Sequence, residues 1–276
     1  MGGGFRLTAS TPRQLEILAT LPDHPSYSLR GDFSAAEITR ALSGKSVTEL
    51  VLHLNERLGD LRFLSGLPDL RELIVTGPYA HADLSQLAGL PLTDLFLRGE
   101  GRVNQLAWLD ELPDLSFLSL GDGTIDRDLT GLPLQAPLTR LSLPRGITDL
   151  TQISTWPMLH TLYLGGLDTA VGTAGWQAVA NLPELAQLHL GPPTLAELCQ
   201  TAVSFPRVNC LVVRPVGEKT RLSALVERFP AVESLHLGGA TTQPLDLTPL
   251  AALSHLRYVR LMDFGGVPHV TGLDQL

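Results

Sequence analysis

A short block of apolar and polar residues recurs along the chain, with its anchors in the order apolar-x-x-apolar-x-apolar. Ten copies have their middle anchors at Leu50, Leu73, Leu95, Leu118, Leu141, Leu162, Leu188, Leu211, Leu235 and Val259. Successive middle anchors lie 21 to 26 residues apart, and further steps toward the amino terminus reach Tyr27 and Leu29, then Phe5 and Leu7. Apolar and polar residues alternating at the end of each block are typical of a half-buried strand. The pattern therefore predicts one short strand in each of about twelve repeats.

Proline and glycine divide the repeats at regular places. An apolar residue and proline precede most strands, as in Leu21-Pro22, Leu67-Pro68, Leu90-Pro91, Leu112-Pro113, Trp156-Pro157, Leu182-Pro183, Phe205-Pro206 and Phe229-Pro230. Because proline lacks the amide hydrogen of a continuing helix, we expect it to end a helical turn and lead into the strand. Glycine follows many strands, where the chain must turn. Pairs such as Asp83-Leu84 predict short capped helices or 3-10 turns between strands.

This arrangement resembles the leucine-rich repeat proteins, and the resemblance extends over essentially the whole chain. Of the 276 residues, 57 are leucine, and the run from Asp246 to Leu253 looks like the short, internalin-like repeat class. The resemblance implies an α/β solenoid, a leucine-rich repeat horseshoe with a concave parallel sheet and short helices or 3-10 turns on the convex side. We predict a single domain over residues 1–276, of about twelve units, with terminal units at 1–30 and 256–276. The 20 prolines and 26 glycines exclude a heptad coiled coil.

The chain departs from the family at one position. Family members carry an asparagine after the third leucine that links neighbouring loops by hydrogen bonds. Other residues stand there in this chain, namely Pro78, Glu100, Gly123, Gly146 and Leu167. Backbone groups or water are therefore expected to form the hydrogen bonds of the loops that the asparagine side chains make in the family.

Leu-Pro before the strand and glycine after it are similar to the C-terminal repeats of bacterial NACHT- and STAND-type signalling NTPases, many of which act in immunity. This similarity implies a longer parent chain with an upstream NTPase domain. In such a parent the repeats sense a ligand or hold the NTPase inactive. The chain reaches its first strand at Phe5 to Leu7 without an obvious capping unit, as expected for the tail of a larger protein.

Composition indicates which kinds of partner the chain binds and in which cellular compartment it functions. The net charge is −8, which argues against binding the backbone of a nucleic acid. Two cysteines, Cys199 and Cys210, are too few for a disulfide scaffold. The chain has neither an uncharged apolar run of membrane-spanning length nor an apolar leader after Met1. We therefore expect a cytoplasmic protein that contacts neither membranes nor nucleic acids.

Residues between the anchors are expected to point outward from the concave sheet, because side chains alternate along a strand. In the first half these are the apolar Val51, Ile74, Phe96 and Phe117 and the acidic Glu49, Glu72 and Asp94. An exposed apolar patch beside a charged stripe is typical of a protein-binding site, and the stripe would select a basic partner. Arg71 and Arg98 are candidates to offset the repulsion among the acids. The alternative is that these positions hold β-branched and aromatic residues only because strands favour them.

The second half offers a more polar candidate surface on the same face. It consists of Arg140, Tyr163, His189, His236 and Tyr258. Rings and basic groups together on one face are suited to a protein ligand, while the alternative is again ordinary strand composition.

Motifs for catalysis are incomplete. Ser43-Gly44-Lys45-Ser46 matches the end of a phosphate-binding loop, but Thr39 stands where that loop needs glycine, and a strand follows instead of a helix. Asp122, Asp126 and Asp128 lack the spacing and the glutamate of a calcium loop, and we interpret them as a solvated loop.

The remaining chemistry-bearing residues also point away from catalysis. His189 and His236 lie two strands apart, roughly 10 Å by strand spacing, too far for one zinc ion without a ligand between them. Cys199 and Cys210 are predicted on opposite sides of the sheet. Trp108, Trp156 and Trp176 lie between strands, where we expect them to cover the core.

We therefore predict a non-catalytic protein-recognition module that needs no metal or cofactor and binds a protein through its concave face. By the second resemblance it is the sensing or autoinhibitory domain of a NACHT-like NTPase. The alternative is a free-standing intracellular scaffold or regulatory subunit.

Overall fold

The computed structural model describes residues 5–103, 106–126, 128–133, 136–164, 171–214, 222–239, 245–262 and 270–272. The chain divides into two compact units. The first consists of Met1–Asp126 and Thr130–Leu138, and the second of Arg127–Leu129 and Thr139–Leu276. The prediction of a single domain over the whole chain stays a prediction.

The first unit has one short strand per repeat. Its elements are β1 (Leu7–Ala9), α1 (Pro12–Thr20), β2 (Ser26–Leu29), α2 (Ala35–Leu42), β3 (Glu49–His53), β4 (Glu72–Thr76), β5 (Asp94–Leu97) and β6 (Phe117–Leu120). Short 3-10 helices replace α-helices in its later repeats, at Arg62–Gly66, Tyr79–His81, Leu84–Leu87 and Leu106–Glu111.

The second unit repeats the arrangement. Its elements are β7 (Arg140–Ser142), β8 (Thr161–Leu164), α3 (Gly172–Ala180), β9 (Gln187–Leu190), α4 (Pro192–Leu198), β10 (Cys210–Val213), α5 (Leu222–Arg228), β11 (Ser234–Gly238), β12 (Leu245–Asp246), β13 (Tyr258–Met262) and β14 (Val270–Thr271). Two 3-10 helices lie at Thr151–Thr155 and Thr248–Ala252. The two-residue strands β12 and β14 pair with each other.

All pairing between neighbouring strands is parallel, and the strands of each unit follow chain order. The anchors align from strand to strand, with Leu50 opposite Leu73 and Leu73 opposite Leu95. These leucines are fully buried, so one face of each sheet covers a leucine core against the helices and 3-10 turns. The predicted leucine-rich repeat solenoid is confirmed in both units.

The first strand has a different register from the predicted one. The pattern paired Phe5 and Leu7 with Tyr27 and Leu29, but the structure places Leu7 opposite Tyr27 and Ala9 opposite Leu29. Ala9 is fully buried, whereas Phe5 is 76% exposed. The two-residue shift moves Arg6 out of the column of Ser28 and opposite Ser26.

Proline ends the helical segments as predicted. The 3-10 helix Arg62–Gly66 ends at Leu67, whose amide donates to the carbonyl of Leu64, and Pro68 follows. The amide of Leu70 then donates to the carbonyl of Leu67, and this turn leads into β4. Caps fix the helix starts, because Ser34 and Glu37 form a reciprocal capping box at α2.

The loops after the strands stack on one another mainly through backbone contacts. The amide of Glu100 donates to the carbonyl of Gly77, and the amide of Tyr79 donates to the carbonyl of Glu100. Asn55 occupies the family's asparagine position in one repeat, which the sequence analysis missed, and its Nδ2 donates to the carbonyl of Gly31 at 3.2 Å. The expectation that backbone groups replace the asparagine ladder is confirmed for the Pro78 and Glu100 loops.

Aromatic residues fill the gaps that leucine leaves in the core. Trp108, Trp156 and Trp176 are all buried, which confirms their predicted place. None of the helices that the structure describes is both long and apolar enough to cross a membrane.

Candidate functional site

Each unit has an open face, which we define as the sheet surface opposite the leucine core. In the first unit it carries two rows of side chains. The acidic row contains Arg6, Ser26, Glu49, Glu72, Asp94 and Phe117, and the apolar row contains Ser28, Val51, Ile74, Phe96 and Ser119. The strand register therefore brings the predicted site residues of the first half together on one face.

The apolar row is much less exposed than predicted. Val51, Phe96 and Phe117 are only 2%, 8% and 4% exposed, and Ile74 is half-buried. Neighbouring strands lie about 4.8 Å apart, so large side chains on adjacent strands cover each other. The expectation of a contiguous exposed apolar patch is wrong, because these residues form a small packed layer of their own.

Aromatic contacts make this layer compact. The rings of Phe96 and Phe117 meet edge to face with centroids 4.9 Å apart. The guanidinium carbon of Arg98 lies 5.1 Å from the centroid of the Phe96 ring. Replacing either phenylalanine would disturb packing as well as any binding, since both are covered by neighbours.

Arg6 neutralises the start of the acidic row. Its Nη2 forms an ion pair with Glu49 and lies 3.5 Å from Oε1 of Glu72. The small Ser26 stands between Arg6 and Glu49 in the row, and its hydroxyl donates to Oε2 of Glu49 at 2.7 Å. Arg6 therefore offsets two of these acids, and the expectation that Arg71 and Arg98 do so stays a prediction. Arg71 donates to the carbonyls of Pro68 and Leu70, and Arg98 covers Phe96.

Asp94 ends the acidic row in a half-buried position. The Thr93 hydroxyl donates to its Oδ2 at 2.8 Å. Its neighbour in the row is Phe117, so the three carboxylates of the row lie on β3, β4 and β5.

The open face of the second unit also has two rows. One contains Arg140, Thr161, Gln187, Cys210, Ser234 and Tyr258, and the other contains Ser142, Tyr163, His189, Val212, His236 and Arg260. The rings of Tyr163 and His189 lie 4.2 Å apart, and those of His236 and Tyr258 lie 5.6 Å apart. The five predicted residues of this half therefore share one face, and Tyr258 is 51% exposed.

Basic neighbours and burial set the protonation of this face. Burial, His236 and Arg214 lower the pKa of His189 to about 4. Burial, Arg260 and Arg214 also lower the pKa of His236, whose Nε2 lies 2.9 Å from the hydroxyl of Ser234. Both imidazoles are therefore neutral at pH 7. Arg260 and Arg214 contribute to this environment, and the sequence analysis did not single them out.

Cysteine chemistry is not activated on this face. Burial raises the pKa of the Cys210 thiol, so it stays protonated at neutral pH. Cys199 caps the end of α4, away from the open face. The two cysteines are not joined in a disulfide.

The other sequence motifs have structural roles. Gly44 has a φ of 71° in a turn after α2, and Lys45 Nζ donates to the carbonyl of Leu21 at 2.9 Å. Asp126 forms an ion pair with Arg102. Val212 separates His189 from His236, as the spacing predicts. Within the described residues, histidines, cysteines and carboxylates form no group of three that suits a metal ion.

Comparison with known proteins gives structural likeness only. No protein-family model and no curated protein matches the chain. Among solved structures, TLR13 in complex with ssRNA13 is 19% identical with a TM-score of 0.46, and the match covers 91% of this chain but only 38% of the TLR13 chain. An internalin (inlF) from Listeria monocytogenes is 18% identical with a TM-score of 0.37, covering 97% of this chain and 69% of the internalin.

The leucine-rich repeat protein LIC12759 from Leptospira interrogans is 15% identical with a TM-score of 0.37, covering 98% of this chain and 85% of that protein. At these identities and scores no ligand or activity transfers to this chain. Its own repeat period, parallel strands and buried leucines establish the class. The chain has the leucine-rich repeat fold.

Proposed function

We propose that the chain is a non-catalytic protein-recognition module whose first unit selects a basic protein segment. The observation that carries the proposal is the acidic row, in which Glu49, Glu72 and Asp94 lie directly opposite one another on three neighbouring strands. Adjacent carboxylates at strand spacing repel each other, and a cation placed between them relieves the repulsion.

Arg6 shows, within the chain itself, how a guanidinium group binds to the carboxylates of this row. Its guanidinium contacts two carboxylates at once, while the side chains of Glu49 and Glu72 are 23% and 34% exposed. A partner's arginine or lysine would bind further along the row, between Glu72 and Asp94, where Ile74 offers half-buried apolar surface beside the charges. Val51, Phe96 and Phe117 support this surface from within.

Neutralising the far end of the row tests the proposal. We expect the Glu72→Gln/Asp94→Asn variant to bind a fluorescent nona-arginine peptide about fivefold more weakly than the native chain, because two partly exposed charge contacts are lost. Affinity is measured by fluorescence anisotropy at low salt.

A matched control separates recognition from general charge attraction. Asp69→Asn/Asp114→Asn removes the same charge from exposed turns before β4 and β6 of the same unit. The control should bind the peptide like the native chain. Equal weakening in both variants would show that only net charge matters, and the proposed row would be wrong.

A second proposal concerns the larger protein to which this module belongs. The Leu-Pro and glycine placement supports a bacterial, cytoplasmic NACHT-like NTPase of innate immunity, in which this module senses a ligand or restrains the NTPase. We expect the coding sequence upstream of the repeats to encode a phosphate-binding loop, which genome sequencing of the source checks. An upstream region without one would favour the alternative, a free-standing scaffold or regulatory subunit.

A further inference from the structure

We propose that the open face of the first unit also binds an acidic side chain of its partner, at Arg98, so that the bound segment carries a basic and an acidic residue four positions apart. This inference rests on the proposed binding of a basic residue at Glu72 and Asp94, and it adds a second charge of opposite sign. The segment lies extended along β4 and β5 and contacts Ile74 between its two charges.

Arg98 lies on the same face as Asp94 and Phe96, because side chains alternate along a strand and these residues are two positions apart. The strand β5 ends at Leu97. The amide of Arg98 still donates to the carbonyl of Val75, so the pairing with β4 continues for one more residue. The guanidinium carbon of Arg98 lies 5.1 Å from the centroid of the Phe96 ring, which places the charge over this face. Asp94 and Arg98 therefore stand at opposite ends of β5 on one surface.

The guanidinium of Arg98 is available to a ligand. The residue is exposed, and within the described part of the chain its side chain makes no ring, hydrogen-bond or ion-pair contact other than the one with Phe96. A guanidinium has five N–H donors that suit a carboxylate, and a contact with an aromatic ring positions the group while leaving donors for that carboxylate. Arg71 differs, since its Nη1 already donates to the carbonyls of Pro68 and Leu70.

The separation of the two charges defines the spacing in the partner. Asp94 and Arg98 are four residues apart along the chain, which is about 13 Å between their Cα atoms. An extended peptide has the same rise per residue and presents every second side chain to the sheet, so its positions i, i+2 and i+4 face Asp94, Ile74 and Arg98. The partner segment therefore has a basic, an apolar and an acidic residue in alternate positions.

Charges of both signs on one face also argue against simpler ligands. A nucleic acid would place its phosphates against the acidic row, and a purely basic segment would place a cation beside Arg98. A segment with both charges avoids these repulsions. We therefore expect an extended peptide of mixed charge.

Four capped, fluorescently labelled peptides of equal length test the inference. The first contains Arg-Thr-Leu-Thr-Glu, the second Arg-Thr-Leu-Thr-Gln and the third Arg-Thr-Leu-Glu-Thr, which has the composition of the first but turns its glutamate away from the sheet. The fourth contains Gln-Thr-Leu-Thr-Glu and lacks the basic residue. Binding to the full chain is measured by fluorescence anisotropy at low salt. We expect the first peptide to bind about threefold more tightly than the second and third, as suits one exposed charge contact.

Two variants of the chain locate this preference. In Arg98→Gln the first three peptides should bind alike, because the group that distinguishes them is gone. Arg30→Gln is the matched control. Arg30 is also an exposed arginine over this face, with its Nε 3.2 Å from the Ser28 hydroxyl, but it follows β2, three strands away from β5. This variant should keep the threefold preference, and circular dichroism confirms that both variants are folded.

The outcomes separate this inference from the proposed function on which it rests. If the fourth peptide binds as tightly as the first, or the first does not bind, the acidic row does not select a cation and both proposals are wrong. If the fourth peptide binds more weakly but the first three bind the native chain alike, the acidic row stands and the site at Arg98 is wrong. A preference that persists in Arg98→Gln, or disappears in Arg30→Gln, would also overturn the site at Arg98.

Discussion

Replacing Trp176 with alanine is expected to lower the free energy of unfolding by about 4 kcal/mol, the largest effect we predict for a single side chain. Trp176 lies on α3 and is fully buried. Its ring meets Phe205 edge-on at 6.1 Å, and Phe205 stacks on Phe229 at 5.0 Å. Alanine would leave a cavity beside the Phe205 ring of the following repeat. Urea unfolding followed by far-ultraviolet circular dichroism measures the change.

Two controls accompany this variant. Met158→Ala should change stability by less than about 0.5 kcal/mol, because Met158 is 59% exposed. Trp176→Phe should cost much less than alanine, since it keeps most of the apolar volume and removes an indole N–H that has no hydrogen-bond partner among the residues that the structure describes. A loss below about 1 kcal/mol for Trp176→Ala would contradict the packing described here.

Repeat spacing predicted the strands and most of their register. The leucine anchors align as the 21- to 26-residue period requires, and Glu49, Glu72 and Asp94 stand in one row as expected. These predictions succeed because a parallel sheet with one buried face tolerates no one-residue slip, which would turn every leucine to the surface.

The register of the first strand was not predictable from the pattern. Phe5, Leu7 and Ala9 are all apolar and alternate with other residues, so a shift of two positions preserves the alternation. Packing decides between the two registers by burying Ala9 and exposing Phe5. The same shift brings Arg6 into the acidic row, and the ion pair with Glu49 was missed for that reason.

The exposure of individual side chains on the open face was also not predicted correctly from the sequence. Alternation shows which face a side chain is on, but its exposure depends on the size of its neighbours in the adjacent strands. Phe96 is on the predicted face, yet Phe117 and Arg98 cover it. A recognition surface on this chain is therefore expected to act through its charged rows, with the aromatic residues holding them in place.

The second large loss of stability is predicted for a glycine in the loops that follow the strands. Gly99→Ala is expected to cost about 3 kcal/mol, because a Cβ atom at this position would overlap the carbonyl oxygen of Gly77 and lie 2.6 to 2.8 Å from the Tyr79 ring. The amide of Gly99 also donates to the Tyr79 hydroxyl at 2.7 Å, which holds the ring against the loop. Urea unfolding again measures the loss.

Gly89→Ala distinguishes this crowding from backbone strain. Gly89 has a φ of 74°, and a Cβ atom added there would meet no atom within 4 Å, so alanine should cost only about 1 kcal/mol through its left-handed conformation. If Gly99→Ala costs no more than Gly89→Ala, the loops are not closely stacked. A clearly larger loss at Gly99 would mean that close backbone approach, assisted by Tyr79, holds these neighbouring loops together. The side chain of Asn55 joins its loop to the loop of Gly31 in the same way. Glycine at position 99 would then be required by the neighbouring repeat, because Gly77 and Tyr79 both belong to it.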